Sequence, residues 1–389
     1  MIATLSELDL DGKRVFLRVD YNVPIDNGKV GEPHRIDSTL PTLEFILGRA
    51  KTVLLASHLG RPGGKKDPKY SLAPVRDYLE AKLSRPVVLA PDCVGPEVAR
   101  LASDPARKIV LLENLRFHKE EEANDPGFAR ALAELADVYV NDAFGAAHRA
   151  HASVTGMVRF FSAKGVGFLM EKEINYLGQL LTAPPRPFWA LLGGAKVSDK
   201  IGVLENLLPR LDGLAIGGGM AYTFLRAQNI PTGKSLVEED HITVARAILA
   251  KAAGQKVRLL LPADHIAAAE LKAPEDPVTV GEIPPDLMGL DIGPKTVAEY
   301  ARALAGAKCV LWNGPMGVFE DQRFFSGTQK LAVALSQSGA VTVVAGGDTV
   351  AAVRQAGVAD KITHLSTGGG ATLEFLEGKT LPGIQALQQ

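Results

Sequence analysis

FWALLGGAKVSDKI, residues 188–201, opens with five apolar residues in a row, turns on two glycines and then carries two lysines four positions apart. An unbroken apolar run is the mark of a parallel strand covered on both faces, because a solvated face would demand alternation. The pattern recurs along the chain. It predicts strands at 14–19, 52–57, 87–90, 109–113 and 137–141 in the first half. In the second half it predicts 188–192, 213–216, 257–261, 309–312, 341–345 and 363–366. Helical patterns between them, such as 38–50 and 127–136, complete βαβ units. The expected class is α/β with two doubly wound parallel sheets.

Length supports two of them. At 389 residues the chain exceeds what one core usually holds. A boundary is expected near 168–182, FLMEKEINYLGQLLT, where Leu169, Ile174, Leu177, Leu180 and Leu181 follow helical spacing. The Pro184-Pro185 pair after it reads as a helix stop. The expected division is 1–168, a connecting helix at 169–182, and 183–374.

Composition removes several function classes. A formal net charge of −1 argues against a nucleic-acid or anionic-membrane partner, which would need a basic excess. Cys93 and Cys309, the only two cysteines, make neither a disulfide framework nor a zinc site. The N-terminal MIATLSELDLDGKRV is acidic where a signal peptide needs an apolar core. No apolar stretch reaches the roughly 18 residues of a membrane span. A cytoplasmic protein is expected.

Polar or glycine residues follow the C-terminal end of almost every predicted strand, where open parallel sheets bind ligands. The two halves differ in kind. The first carries Asp20, Asn22, Arg35, His58, Arg61, Arg116 and Arg149. The second carries Gly193-Gly194, Gly217-Gly218-Gly219, Asn313-Gly314-Pro315, Gly346-Gly347-Asp348 and Gly368-Gly369-Gly370. Guanidinium groups grip phosphate and carboxylate by paired hydrogen bonds, and glycine turns offer bare backbone N–H groups to nucleotide phosphates. One half suits a small anionic metabolite and the other a nucleotide.

The common nucleotide motifs are absent. Gly233-Lys234-Ser235 lacks the first glycine of a P-loop, position 228 being Gln. The glycine pairs at 165/167, 217/219 and 368/370 run into Met170, Tyr222 and Leu373 where a dinucleotide fingerprint needs its third glycine. In GGAKVSDKI, Lys196 and Lys200 at i and i+4 are expected on one face of a helix opening at the glycines. Cations in a first turn oppose the helix dipole and call for an anion; surface lysines are the plainer alternative. Asp348 read alone is an N-cap, and beside the glycines it is suited to Mg²⁺. Glu320 read alone is a solvated carboxylate. His58 alone is a structural histidine, and any one of the arginines alone a surface cation.

Taken together, RVDYNVP (18–24), SHLGRP (57–62), ENLRFH (113–118), NDAFGAAHRAHAS (141–153), GGAKVSDKI (193–201), GGGMAYTFL (217–225), WNGPMGVFE (312–320), GGDT (346–349) and STGGGAT (366–372) stand in the order seen in the phosphoglycerate kinase family. The resemblance runs from about residue 14 to the C-terminal TLPGIQAL. It implies a bilobed molecule of two Rossmann-like domains joined by a helix, with a central cleft. The C-terminal segment, about 375–389, would return to the first domain. It also implies a monomer that transfers a phosphoryl group between 1,3-bisphosphoglycerate and MgADP, with domain closure.

By matching motif, Asp20 and Asn22 would hold the substrate's hydroxyl side. Arg61, Arg116 and Arg149, with His58, would hold its non-reacting phosphate, and Arg35 would approach the reacting carboxyl-phosphate. Lys196 and Lys200 would contact the transferring and nucleotide phosphates, with Gly369 and Gly370 at the transferring phosphoryl group. Gly194, Asn313, Pro315, Gly346, Gly347 and Thr349 would line the nucleotide site. Asp348 would hold Mg²⁺, Glu320 the ribose, and Gly218 and Gly219 would leave room for adenine. A two-domain nicotinamide dehydrogenase would share the architecture, and a non-enzymatic metabolite-binding relative would share the motifs.

Overall fold

The computed structural model describes residues 2–272 and 276–389. The chain forms two compact units, one of Met1–Asn175 with Thr380–Gln389 and the other of Tyr176–Lys379.

The first unit is built on six parallel strands: β1 Arg14–Val19, β2 Thr52–Ala56, β3 Val88–Leu89, β4 Ile109–Leu111, β5 Val138–Asp142 and β6 Lys164–Val166. They stand in the order β3-β4-β2-β1-β5-β6. Every residue of β2, β4 and β5 is buried, which is why these strands read as unbroken apolar runs. On one face Val15, Leu17, Val53, Leu55, Ile109 and Leu111 pack on Leu43, Ile46, Val75 and Leu79 from neighbouring helices. Each such side chain contributes about 1.5–3 kcal/mol by leaving water. The C-terminal helix Pro382–Gln388 belongs to this unit, Gly383 N–H donating to Ala147 O at 2.8 Å.

The second unit repeats the plan with β7 Phe188–Leu192, β8 Gly213–Ile216, β9 Arg258–Leu260, β13 Cys309–Asn313, β14 Val341–Ala345 and β15 His364–Leu365. These parallel strands run β9-β8-β7-β13-β14-β15. Its core gathers Trp189, Leu191, Val310, Trp312 and Val344 against Tyr300, Leu331 and Val353. The helix Phe168–Thr182 runs through the boundary between the units.

Two features were not expected. A three-stranded antiparallel sheet, β10 His265–Ala268, β11 Val278–Val280 and β12 Met288–Ile292, stands in the order β11-β10-β12 in the second unit. Its strand β11 is largely exposed and is flanked by Pro277, Gly281 and Pro284, so the stretch reads as loop. Strand β6 is Lys164-Gly165-Val166, whose lysine and glycine break the apolar run that marks the other strands.

In both units the first strand is central, and successive connections leave it in opposite directions. The topological switch falls between β1 and β5 in one unit and between β7 and β13 in the other. Ligand crevices of open parallel sheets form beyond the carboxyl ends of such strand pairs.

Candidate active site

Beyond β1 and β5 the first unit collects cations. Arg18, only 1% exposed at the end of β1, donates from Nε to Ser153 Oγ at 2.8 Å and from a terminal nitrogen to Val19 O. Its other terminal nitrogen lies 3.4 Å from His58 Nδ1. Ser153 Oγ in turn donates to Glu121 Oε1 at 2.5 Å, so a buried carboxylate backs the arginine through a hydroxyl. Arg35 Nη1 donates to Asp20 Oδ2 at 2.9 Å, and Asn22 Oδ1 accepts from Gly60 N at 2.9 Å. Asp20 and Asn22 thus already hold protein partners.

Arg116 is 4% exposed and donates to Gly60 O at 2.7 Å. Its Nε, 3.3 Å from Glu122 Oε1, makes no hydrogen bond. A buried guanidinium N–H without an acceptor costs about 1–3 kcal/mol and points to a ligand oxygen. Burial lowers the Arg116 pKa, with Arg149 and Arg18 adding to the effect against Glu122. Arg149 is half-buried on the loop after β5. Arg61 is exposed and has no hydrogen bond or ion pair among the described residues.

Both histidines of this cluster are held neutral. Burial, then Arg18, Arg116 and Arg35, drives the His58 pKa well below its ordinary value. Burial, then Arg116, Arg18 and Arg149, pushes His151 down to about 3. Burial raises the Glu121 pKa despite Arg18 and the Ser153 hydrogen bonds. The set is therefore strongly cationic, and an anion is the species it lacks. Arg18, His151 and Glu121 were not foreseen: an arginine inside a strand and a histidine in an alanine-rich loop carry no sequence signal of burial.

In the second unit three loops interlock through their backbones. Gly193 N–H donates to Asn313 O and Gly194 N–H to Pro315 O, each at 2.9 Å. Gly218 N–H donates to Met316 O, and Met220 N–H to Gly194 O, each at 3.0 Å. A Cβ on Gly193, Gly218 or Gly314 would collide with backbone atoms of the neighbouring loops, and Gly218 and Gly314 have φ of +63° and +96°. Close backbone approach alone therefore demands these glycines.

Beside this knot lies a cavity of about 340 Å³ lined by Gly194, Gly218, Gly219, Tyr222, Leu236, Leu290, Pro315, Glu320 and Asp348 among others. Apolar walls with a few polar groups at one side suit a flat base with its phosphates outside. A second cavity, about 420 Å³ in the first unit, touches Asn22 and Gly60 but none of the arginines.

Two local expectations are corrected. Lys196 and Lys200 do not share a helix face, because the helix Ile201–Leu207 starts after them with Lys200 as its N-cap. Gly194 at φ +94° and a carboxylate bound to the amides of 197 and 198 keep that stretch a loop. Asp348 is not an N-cap either: Gly346 is, and Asp348 sits in the first turn of the helix Gly347–Gln355.

Lys196 is exposed. Lys200 is half-buried, and burial lowers its pKa while Asp199 and Asp348 oppose this, which sets Lys200 beside Asp348. Thr349 Oγ1 accepts from Gly314 N at 2.7 Å, tying the helix to the knot. Asn313 Nδ2 donates to Ala345 O at 2.8 Å, and its buried Oδ1 has no hydrogen-bond partner among the described residues. Gly369, at φ +53°, precedes the helix Gly370–Leu376. Glu320 is exposed at the cavity rim.

Comparison with known proteins gives the family. The phosphoglycerate kinase family model matches residues 5–379. A phosphoglycerate kinase of Anaeromyxobacter dehalogenans (strain 2CP-C) is 56% identical over 394 aligned residues, covering all of both chains. One from Moorella thermoacetica is 55% identical over 389, with 99% of each chain covered. The solved phosphoglycerate kinase of Coxiella burnetii superposes with a TM-score of 0.90 at 41% identity, covering 100% of this chain and 99% of that one. The chain belongs to the phosphoglycerate kinase family.

Proposed function

We propose that this chain runs its family's reaction, 1,3-bisphosphoglycerate plus MgADP to 3-phosphoglycerate plus MgATP and back, by direct in-line transfer. The enzyme is a phosphotransferase of glycolysis with a carboxyl group as acceptor. The observation that carries the residue-level reading is the buried Arg116 Nε, in an ion pair with Glu122 but without a hydrogen bond among the described residues, within a cluster of guanidinium groups and neutral histidines.

Arg61, Arg116 and Arg149, with His58 beside them, bind the non-reacting phosphate. Asp20 and Asn22 receive the hydroxyl side, and Arg35 reaches the reacting carboxyl-phosphate. In the second unit the 340 Å³ cavity takes the base against Gly218 and Gly219, with Glu320 at the ribose. Gly194, Asn313, Pro315, Gly346, Gly347 and Thr349 shape the phosphate end, and Lys196, Lys200, Gly369 and Gly370 face the moving phosphoryl group.

Asp348 suits Mg²⁺: it is an exposed carboxylate on the cavity wall beside Lys200, and Mg²⁺ takes one or two carboxylates together with phosphates and water. The ion supplies charge neutralisation on the nucleotide phosphates. In the ATP-consuming direction the nucleophile is a carboxylate, ionised near neutrality with a reference pKa of about 4. No general base is required, and catalysis reduces to positioning and charge stabilisation. The reacting atoms must come within about 3–3.5 Å, so the two units close on each other before transfer and exclude water. The net charge of −1 supports small-molecule partners rather than nucleic acid, and we assign a cytoplasmic monomer.

The test is turnover that depends on MgATP and 3-phosphoglycerate, coupled through glyceraldehyde-3-phosphate dehydrogenase to NADH loss. Rapid turnover that vanishes without either substrate supports the assignment. Binding of both ligands without turnover would reduce the chain to a metabolite-binding relative.

A further inference from the structure

The carboxylate that keeps the Lys196 stretch a loop belongs to Glu238, which comes from outside that loop. Glu238 Oε2 accepts the N–H of Val197 and, at 3.1 Å, that of Ser198, while Oε1 accepts the Ser198 hydroxyl at 2.7 Å. Three donors of one short loop thus converge on one carboxylate. The hydrogen bonds favour the ionised form, so the Glu238 pKa falls below the ordinary carboxylate value although its burial works the other way. The backbone of Glu238 is fixed in turn, its N–H donating at 3.0 Å to Thr223 Oγ1 on the helix Met220–Ala227. That helix issues from the Gly217-Gly218-Gly219 turn. Two residues before Glu238, Leu236 lines the cavity.

We propose that Glu238 is a positioning residue for phosphoryl transfer: it sets the backbone at 197–198, and through it the direction in which Lys196 points. This rests on the reading of Lys196 as a phosphate-contacting group. Lys196 is exposed on a loop before the helix Ile201–Leu207, where the buried Val197 side chain and one turn, Lys200 N–H to Val197 O at 2.8 Å, are joined by the Glu238 contacts in fixing the backbone. Charge-assisted hydrogen bonds from a carboxylate to backbone N–H are among the stronger local restraints available. The chain of contacts also joins the base end of the cavity to the phosphate end, through Thr223, Glu238 and Val197.

The experiment uses the full chain as wild type, Glu238→Ala, Glu238→Gln, Ser198→Ala, Lys196→Ala and the Glu238→Ala/Lys196→Ala double variant. Glu238→Ala should lower kcat about ten- to a hundredfold, the scale of a misplaced catalytic group. Its ADP Kd by calorimetry should change less than about threefold, because the cavity walls are untouched. In the Lys196→Ala background the same change should cost no more than about twofold, the non-additivity expected when one residue acts through another. Glu238→Gln, which keeps the acceptor but not the charge, should recover part of the loss.

Additive losses, or a kcat within about twofold of wild type, would overturn the assignment. If Glu238→Ala loses its cooperative melting transition, Glu238→Gln and Ser198→Ala carry the test through the same cycle with Lys196→Ala. Amide exchange at Val197 and Ser198, slow in wild type and fast in Glu238→Ala, reads the hold on the loop without turnover. A wild type that neither turns over nor binds ADP would sink the functional reading and the catalytic half of this one with it, while the exchange rates still decide whether Glu238 holds the loop.

Discussion

The two units place their candidate binding groups at the same topological point and build them from opposite materials. Beyond β1 and β5 the first unit uses side chains: Arg18, Asp20, His58, Arg116 and Glu121 are all buried and joined by hydrogen bonds and charge. Beyond β7 and β13 the second unit uses backbone, with three glycine loops bonded N–H to C=O so closely that no Cβ fits between them. The functional demand explains the difference. A small metabolite with several negative charges has little area to bury and must be held by fixed charge in a low-dielectric setting. A nucleotide brings a flat apolar base, which needs a slot that bulky side chains would fill. The first design should be sensitive to charge and pH, and the second to added volume.

The largest expected effect falls on volume. Gly314→Val must accept φ +96° and drive a branched side chain into the Gly193 backbone, at about 3–5 kcal/mol from backbone strain plus overpacking. Both tryptophans, Trp189 and Trp312, lie in the second unit, and Trp312 Nε1 donates to Gly314 O at 2.8 Å. The fluorescence-detected denaturant midpoint should fall well below that of wild type. Gly339, in the same unit at φ +67° with open space around its missing Cβ, is the control: Gly339→Val should cost about 1–2 kcal/mol, the left-handed penalty alone. Equal effects at the two glycines would break the contrast.

Slightly smaller is the effect of charge on chemistry. Arg35→Ala should lower kcat about 10²–10³-fold, the range for losing one transition-state donor. ADP affinity and the tryptophan-reported unfolding of the second unit should stay at wild-type values. A variant with kcat intact would remove Arg35 from the transition state and return it to structural pairing with Asp20.

How much of this a reader could take from the sequence follows from the same division. The strands were legible wherever both faces are covered: RVFLRV, GLAI and VTVVA match β1, β8 and β14 to the residue. The antiparallel sheet was not, because Val278–Val280 is short, exposed and hemmed by proline and glycine. Glycine clusters read as phosphate-binding turns, yet Gly193, Gly218 and Gly314 are already required by the loops they join. The lysine pair misled because i, i+4 spacing presumes a helix, and a carboxylate some forty positions away, Glu238, decides otherwise. Arg18 and Glu121 were invisible for a related reason. Burial of a charge depends on a partner distant in sequence, here Ser153.

The finest test of the charged design is its pH dependence, and His151 isolates it. In the folded chain burial, then Arg116, Arg18 and Arg149, pushes this histidine down to about 3, whereas an unfolded histidine titrates near 6.5. The Glu121 carboxylate, 3.9 Å from its Nδ1, is itself driven toward protonation by burial and does not reverse the effect. The folded pKa is depressed, so below about 6.5 the unfolded chain binds a proton that the folded chain refuses. Stability carried by this residue is thus complete above that pH and drains away as pH falls toward 3, at up to about 1.4 kcal/mol per unit. His151→Gln cannot titrate, while His58 and Glu121 remain in both proteins. Between pH 7.5 and 5 wild type should therefore lose about 2 kcal/mol relative to His151→Gln in denaturant titrations followed by circular dichroism. The tryptophan-reported transition of the second unit should show no such divergence. A gap between the two proteins that stayed constant with pH would mean that His151 shares its charge with solvent, and that the arginine cluster is looser than its buried geometry implies.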